Sequence, residues 1–134
     1  MAAIADITLA DSVPANHTFA PAARQDGLVV YHDRSGGITL GYLEVSLGNR
    51  LPSMGNRNHK VTLKIKHPVL ETAATAASGF TPGPTIAYTL TCNMNFVIPD
   101  RAAALEKADL HAYAKNLLAN TVVEDLVTTA IFPH

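Results

Sequence analysis

The stretch His59-Lys60-Val61-Thr62-Leu63-Lys64-Ile65-Lys66, with its companion Tyr88-Thr89-Leu90-Thr91-Cys92-Asn93-Met94-Asn95-Phe96, alternates apolar and polar residues without a break. Strand side chains point to opposite faces with a period of two. Val61, Leu63 and Ile65 therefore share one face, and Lys60, Thr62, Lys64 and Lys66 share the other. In the second run Tyr88, Leu90, Cys92, Met94 and Phe96 are predicted to face the packed side, leaving Thr89, Thr91, Asn93 and Asn95 on the open side. Lysines, threonines and asparagines on an open sheet face offer cations to phosphates and hydrogen-bonding groups to bases. An ordinary solvated strand carries the same alternation, so the pattern alone leaves both readings open.

Upstream, Ile4 to Ser12 reads as a first strand, turning through Val13-Pro14-Ala15-Asn16 into a short return, Thr18-Phe19-Ala20, stopped by Pro21. Gly27 to Asp33 is a third strand. Ser35-Gly36-Gly37 supplies a tight hairpin, and Ile38 to Leu47 returns with Leu43, Val45 and Leu47 on one face and Tyr42, Glu44 and Ser46 on the other. Gly48 to Asn58 reads as a polar loop, and Pro68 as the end of the lysine strand, His59 to His67. A long loop, Glu71 to Thr85, rich in Ala, Ser, Thr, Gly and Pro, needs a purpose in a compact domain.

Downstream of Ile98-Pro99 the period changes. Asp100 stands as an N-cap before a helix in which Ala103, Leu105, Ala108, Ala112, Tyr113 and Leu117 recur at near-helical spacing. Thr121-Val122-Val123-Glu124 reads as a capping box for a short second helix to about Ile131. Strands first and helices last make an α+β arrangement, with helices covering one face of an antiparallel sheet. The 134 residues are expected to form one domain: a hairpin over 1–20, a sheet over 27–98 interrupted by the loop 71–85, and helices over 100–131.

Composition narrows the function classes. With 48% hydrophobic and 16% charged residues the chain reads as globular, and a net charge of -1 argues against a general nucleic-acid coat. The charge is unevenly placed. Between Val45 and Leu70 stand Arg50, Arg57, Lys60, Lys64 and Lys66 with no acid, half of the ten basic side chains. Such a face can bind RNA on a near-neutral chain. The lone Cys92 excludes an intrachain disulfide and, by its parity, reads as a buried structural thiol. No stretch approaches the ~20 apolar residues of a membrane span, and Met1-Ala2-Ala3-Ile4-Ala5 meets Asp6 too soon for a signal peptide. Synthesis in a cytoplasm, with no membrane partner, is the expectation.

Cofactor and metal chemistry find no footing in the pattern. The six histidines include no His-x-His or His-Glu-x-x-His spacing, and the Gly36-Gly37 and Gly79 to Pro84 glycines match no phosphate-binding loop. No Ser, His and carboxylate set is suggested by spacing, and the packed strand face is mainly aliphatic. A small α+β enzyme is thus the weakest alternative. A dimeric RNA-binding regulator that never assembles is another, although it has little use for the long loop.

These elements, taken in order, resemble the coat proteins of single-stranded RNA bacteriophages. Asn58-His59-Lys60-Val61-Thr62-Leu63-Lys64 resembles the Asn-x-Lys-x-Thr-x-Lys strand of the family, and Cys92-Asn93-Met94-Asn95-Phe96-Val97-Ile98-Pro99 its Asn-Met…Ile-Pro strand. Phe19-Ala20-Pro21 after the hairpin and Gly27 before the next strand also fit. The resemblance covers essentially the whole chain. It implies a hairpin, a five-stranded antiparallel meander and two helices, in an intertwined homodimer with a continuous ten-stranded sheet. Dimers would then build an icosahedral shell, with the sheet facing single-stranded viral RNA and the helices outside. The location implied is the virion, with synthesis in a bacterial host cytoplasm.

The resemblance also implies site residues. The sheet face of the family binds an RNA hairpin and represses replicase translation; Lys60, Thr62, Lys64 and Asn93 stand at matching positions, with Asn95 on the strand of Asn93, Asn58 near the lysines and Ser46 on the strand neighbouring theirs. Two departures are visible: Thr91 replaces a tyrosine on which an RNA base stacks, and Lys66 adds a cation where the best-known members have an acid. The Glu71 to Thr85 loop resembles the segment between the sixth and seventh strands that meets its copies around the symmetry axes. Gly79, Pro82, Gly83 and Pro84 suit a segment that must adopt several backbone states.

Overall fold

Six strands follow one another across a single antiparallel sheet in sequence order, in a computed structural model that describes residues 4–71, 79, 83 and 85–131. They are β1 (Ile7–Ala10), β2 (Asn16–Gln25), β3 (Leu28–Asp33), β4 (Leu43–Arg50), β5 (Asn58–Leu70) and β6 (Ile86–Pro99), followed by α1 (Ala104–Leu118) and α2 (Thr121–Thr129). The chain divides into two compact units, residues 1–97 and 98–134. Two hairpin strands and five meander strands need only six, because β2 serves both. Its first half pairs with β1 (Ile7 opposite Phe19) and its second with β3 (Gln25 opposite Leu28).

That double use explains why Pro21 does not stop the strand as its lack of an N–H suggested. It sits where β2 passes from one partner to the other, at a bulge between Pro21 and Ala23 that absorbs the interrupted ladder. Pro68 likewise lies inside β5, buried, beyond Lys66, the last residue paired with β4. The first strand is shorter than expected because Asp11 turns the chain: its Oδ1 accepts the N–H groups of Val13 (3.0 Å) and Ala15 (2.8 Å). Gly27 belongs to the turn before β3, not to the strand. Its φ of +75° suits glycine, and an added Cβ would lie 2.8 Å from the Asn49 carbonyl oxygen. After Gly37 a 3-10 turn, Thr39–Gly41, takes the place expected for the start of β4.

Register fixes the two faces. Tyr31, Val45 and Ile65 lie directly opposite one another, as do Val29, Leu47 and Leu63. With Phe19 these form the core: Phe19, Tyr31 and Val45 are buried, and Ile7, Val29, Leu43, Leu47 and Ile65 pack against them. The expected packed face of β6 is different in the single chain. Tyr88, Leu90 and Cys92 are exposed, and only Met94 and Phe96 are half-buried. Cys92 is therefore not a buried thiol here. Strand alternation groups it with Tyr88 and Leu90 but cannot say what covers that face.

The one buried charge among the described residues is clamped. Asp33, 4% exposed, takes the Ser35 N–H on Oδ1 and holds His17 Nδ1 at 2.9 Å through Oδ2, while His17 Nε2 reaches Asp11 Oδ2 at 2.9 Å. A neutral imidazole has one N–H, so two carboxylate partners fit the imidazolium. Hydrogen bonds to Asp11 and Asp33 raise the His17 pKa above its usual value. The His17 hydrogen bond, with the Ala15 and Val13 N–H groups, lowers that of Asp11. At Asp33 burial pushes upward, but the hydrogen bonds of Ser35 and His17 outweigh it and the net shift is downward.

In the second unit both helix starts differ from the expected caps. Ala103, not Asp100, precedes α1, its N–H donating to Glu106 Oε1 at 3.4 Å; Asp100 lies in the turn between. Asn120, not Thr121, caps α2, its side chain accepting the Val122 N–H at 2.9 Å. Neither helix contains a buried residue.

Candidate nucleic-acid interface

The lysine strand is flanked by β4 and β6, and its register with β4 builds a patterned face. Lys60 lies opposite Arg50, Thr62 opposite Gly48, Lys64 opposite Ser46 and Lys66 opposite Glu44. Residues directly opposite share a face, and alternate residues along a strand lie about 7 Å apart. Lys60, Thr62, Lys64 and Lys66 thus form one row, and Arg50 and Ser46 belong to the row beside it. Thr62 Oγ1 donates to Asn95 Oδ1 at 3.2 Å, which brings β6 onto the same face. Alternation then places Asn93 and Thr91 along it, both exposed. Asn58 opens β5, its N–H bonded to Asn56 Oδ1 at 3.1 Å.

Lys64 and Lys66 are exposed and Lys60 half-exposed, so the ammonium groups can meet a ligand without first leaving the core. Ser46 Oγ turns toward Glu44 Oε1 at 3.4 Å, the acid in this row of cations. Arg50 was missed as a site residue because Gly48 reads as a loop start. The strand runs through Gly48, which lies opposite Thr62, and so carries Arg50 to a place beside Lys60. The five bases of 45–70 were the available signal.

The expected assembly segment is described only in part. Gly79 and Gly83 are exposed, Gly79 with φ +82°; Pro82 and Pro84 lie outside the described residues. The two ends of the loop are tied: the Glu71 N–H donates to the Thr85 carbonyl at 2.8 Å and Thr85 Oγ1 to Glu71 Oε2 at 3.0 Å. Among the described residues no group of ligating side chains could hold a metal, and no helix is long and apolar enough to cross a membrane.

Comparison with known proteins identifies this architecture. A family model of the levivirus coat protein matches residues 2–131. Among solved structures, the virus-like particle of bacteriophage NT-214 shares 34% identity with a TM-score of 0.87, over 99% of this chain and 100% of that one. The virus-like particle of bacteriophage ESE058 shares 26% identity with a TM-score of 0.85, over 100% and 99%. An unassembled virus coat protein dimer, a bacteriophage RNA-binding dimer, is 18% identical with a TM-score of 0.66 over 99% and 100%, a likeness of fold alone. Comparison with curated proteins gave no match. The six-stranded sheet, the two terminal helices and a match running from end to end converge on a capsid protein and not an enzyme: the chain belongs to the levivirus coat protein family.

Proposed function

We propose that this coat protein dimerises, assembles into an icosahedral shell and packages single-stranded RNA against the face that carries Lys60, Thr62, Lys64 and Lys66. The observation that carries this reading is the register of β4 and β5, which gathers Arg50, Lys60, Lys64 and Lys66 on one face. Cations in such an array release counterions from a phosphate backbone, and the flanking Ser46, Thr62, Asn93 and Asn95 can hydrogen-bond to bases.

Dimerisation follows from what the single chain leaves unpartnered. β6 ends the strand order and runs for 14 residues, so its outer edge is a template for another strand. Pairing with the same edge of a second copy joins two sheets into one. Tyr88 and Leu90 on that strand, and Leu105, Leu110, Tyr113 and Leu117 on α1, are exposed apolar groups that a second copy would cover. Glu71 and Thr85 tie together the two ends of the segment that this reading assigns to contacts around the symmetry axes. Virus-like particles among the relatives at 34% and 26% identity support assembly. The location is then the virion, after synthesis in the host cytoplasm. Repression of replicase translation through a hairpin is the further role of this face, with a recognition element altered by Thr91 and Lys66.

Size-exclusion chromatography with light scattering and absorbance at two wavelengths tests assembly: a megadalton species rich in nucleic acid is expected, and an RNA-free dimer that ignores added RNA at low salt would reject it. Replacing Lys60 and Lys64 together by Ala tests the face. Loss of two phosphate contacts should flatten the slope of log K against log salt by about 1.4 on single-stranded RNA, at roughly 0.7 per contact. An unchanged affinity and slope would move the RNA surface elsewhere.

A further inference from the structure

One end of the polar face holds a cavity of about 430 Å³ lined by His32, Thr39, Tyr42, Glu44, Lys66 and Pro68 among others. His32, Glu44 and Lys66 are directly opposite one another across β3, β4 and β5, so the cavity continues the row next to Ser46 and Lys64. Its wall is the 3-10 turn, closed by the Gly41 N–H to the Ile38 carbonyl at 3.0 Å and the Tyr42 N–H to the Thr39 carbonyl at 3.3 Å. That turn packs on the end of β5, where a Cβ on Gly41 would lie 2.9 Å from Leu70 Cδ1. The Tyr42 ring is set against His32, with centroids 5.8 Å apart and planes tilted by 52°, a geometry that orients the ring before any ligand arrives.

We propose that this cavity takes an unpaired guanine base, stacked on Tyr42 and read on its Watson–Crick edge by Glu44 and Lys66. The proposal rests on the reading of this face as the RNA surface. A carboxylate among cations repels phosphates, so Glu44 belongs beside a base edge and not a backbone. Its Oε1 already accepts from Ser46 Oγ, which steadies the group, and among the described residues no ion pair ties it to Lys66. Guanine presents two adjacent donors, N1–H and the N2 amino group, beside the O6 acceptor. A carboxylate accepts from both donors and an ammonium donates to O6; adenine, cytosine and uracil each offer that edge only one donor group. A volume of this size and a mixed lining of rings and a few polar groups are those of a small-ligand site.

The test uses the unassembled full chain and two labelled probes followed by fluorescence anisotropy, a short oligouridylate and the same oligomer with two adjacent guanosines. The wild type should bind the guanosine probe at least about fivefold tighter, the lower end of a bidentate base contact. Glu44→Gln should abolish that preference without weakening oligouridylate binding, which also reports that the variant is folded. Tyr42→Ala should weaken the guanosine probe by about fivefold or more, and Tyr42→Phe should restore it, because the stack needs the ring and not the hydroxyl. Binding without guanosine preference, or a preference that survives Glu44→Gln, would overturn the pocket and leave the RNA face standing. Failure of both probes to bind at low salt would overturn the pocket and the RNA face together.

Discussion

Leu117→Ala separates a self-sufficient protomer from one completed by its copy. Leu110, Tyr113 and Leu117 follow the i, i+3, i+7 spacing of one face of α1, and Tyr113 and Leu117 are 71% and 60% exposed in the single chain. Truncating a leucine to alanine removes about 2.4 kcal/mol of transfer free energy, at ~0.8 kcal/mol per methylene. With Leu117 60% exposed, only roughly 1 kcal/mol of this is at stake in an isolated chain, and the better helix propensity of alanine returns a few tenths. Covered by a second copy, the same side chain lies in a packed interface, where Leu→Ala costs about 2–5 kcal/mol. Urea unfolding followed by circular dichroism, at protein concentrations tenfold apart, reads both quantities. A coupled dimer loses about 1.4 kcal/mol of apparent stability on tenfold dilution. A Leu117→Ala loss below roughly 1 kcal/mol, with a midpoint that ignores concentration, would refute the covered face.

Three further outcomes follow from local geometry. The His17 pKa is raised in the folded chain, so the clamp contributes fully below the unfolded value near 6.5 and is lost as pH rises through the folded value. The lowered Asp11 and Asp33 contribute above the ordinary carboxylate value near 3.8, and that part is lost as pH falls through theirs. Wild type should therefore lose Tm on the alkaline side relative to His17→Gln, and parallel pH profiles of the two would dismiss the clamp. Gly27→Ala must hold φ at +75° and meet the Asn49 carbonyl oxygen, so a loss above about 1–2 kcal/mol is expected in urea unfolding, and wild-type stability would contradict the close approach. Removing Ala73 to Pro84 should leave dimers in light scattering but spoil uniform particles in electron micrographs; normal shells would deny the loop its role in assembly.

What was legible in the sequence is what period two encodes. Lys60, Thr62, Lys64 and Lys66 read as one face because every second residue repeats its chemistry, and the register with Arg50, Ser46 and Glu44 keeps that face intact. Strand ends were harder, since Pro21 and Pro68 lack an N–H and suggest termination. Whether the missing donor matters depends on which neighbour the strand has at that point, a tertiary fact. Gly48 hid Arg50 because a glycine after Leu47 suggests a loop, and only its pairing with Thr62 shows that the strand continues. The His17 clamp joins residues 11, 17 and 33, which no local pattern links. Cys92 shows the remaining limit: alternation groups it with Tyr88 and Leu90, but the covering of that face is decided outside the strand and, on the proposed reading, outside the chain.

On the proposed reading β6 serves two functions at once. Its edge and its Tyr88–Leu90 face are proposed for the second copy, while Thr91, Asn93 and Asn95 belong to the face proposed for RNA on the same strand. A substitution at Asn93 that weakens RNA binding also perturbs the strand proposed to join the dimer, so β6 cannot by itself separate binding from assembly. β5 can, because Lys60 and Lys64 lie where it has β4 on one side and β6 on the other. Lys60 and Lys64 stand on β5 with their side chains off the core face. A salt dependence that flattens when these two are removed, with concentration-dependent stability unchanged, would therefore assign the RNA contact to the face and the dimer to the edge.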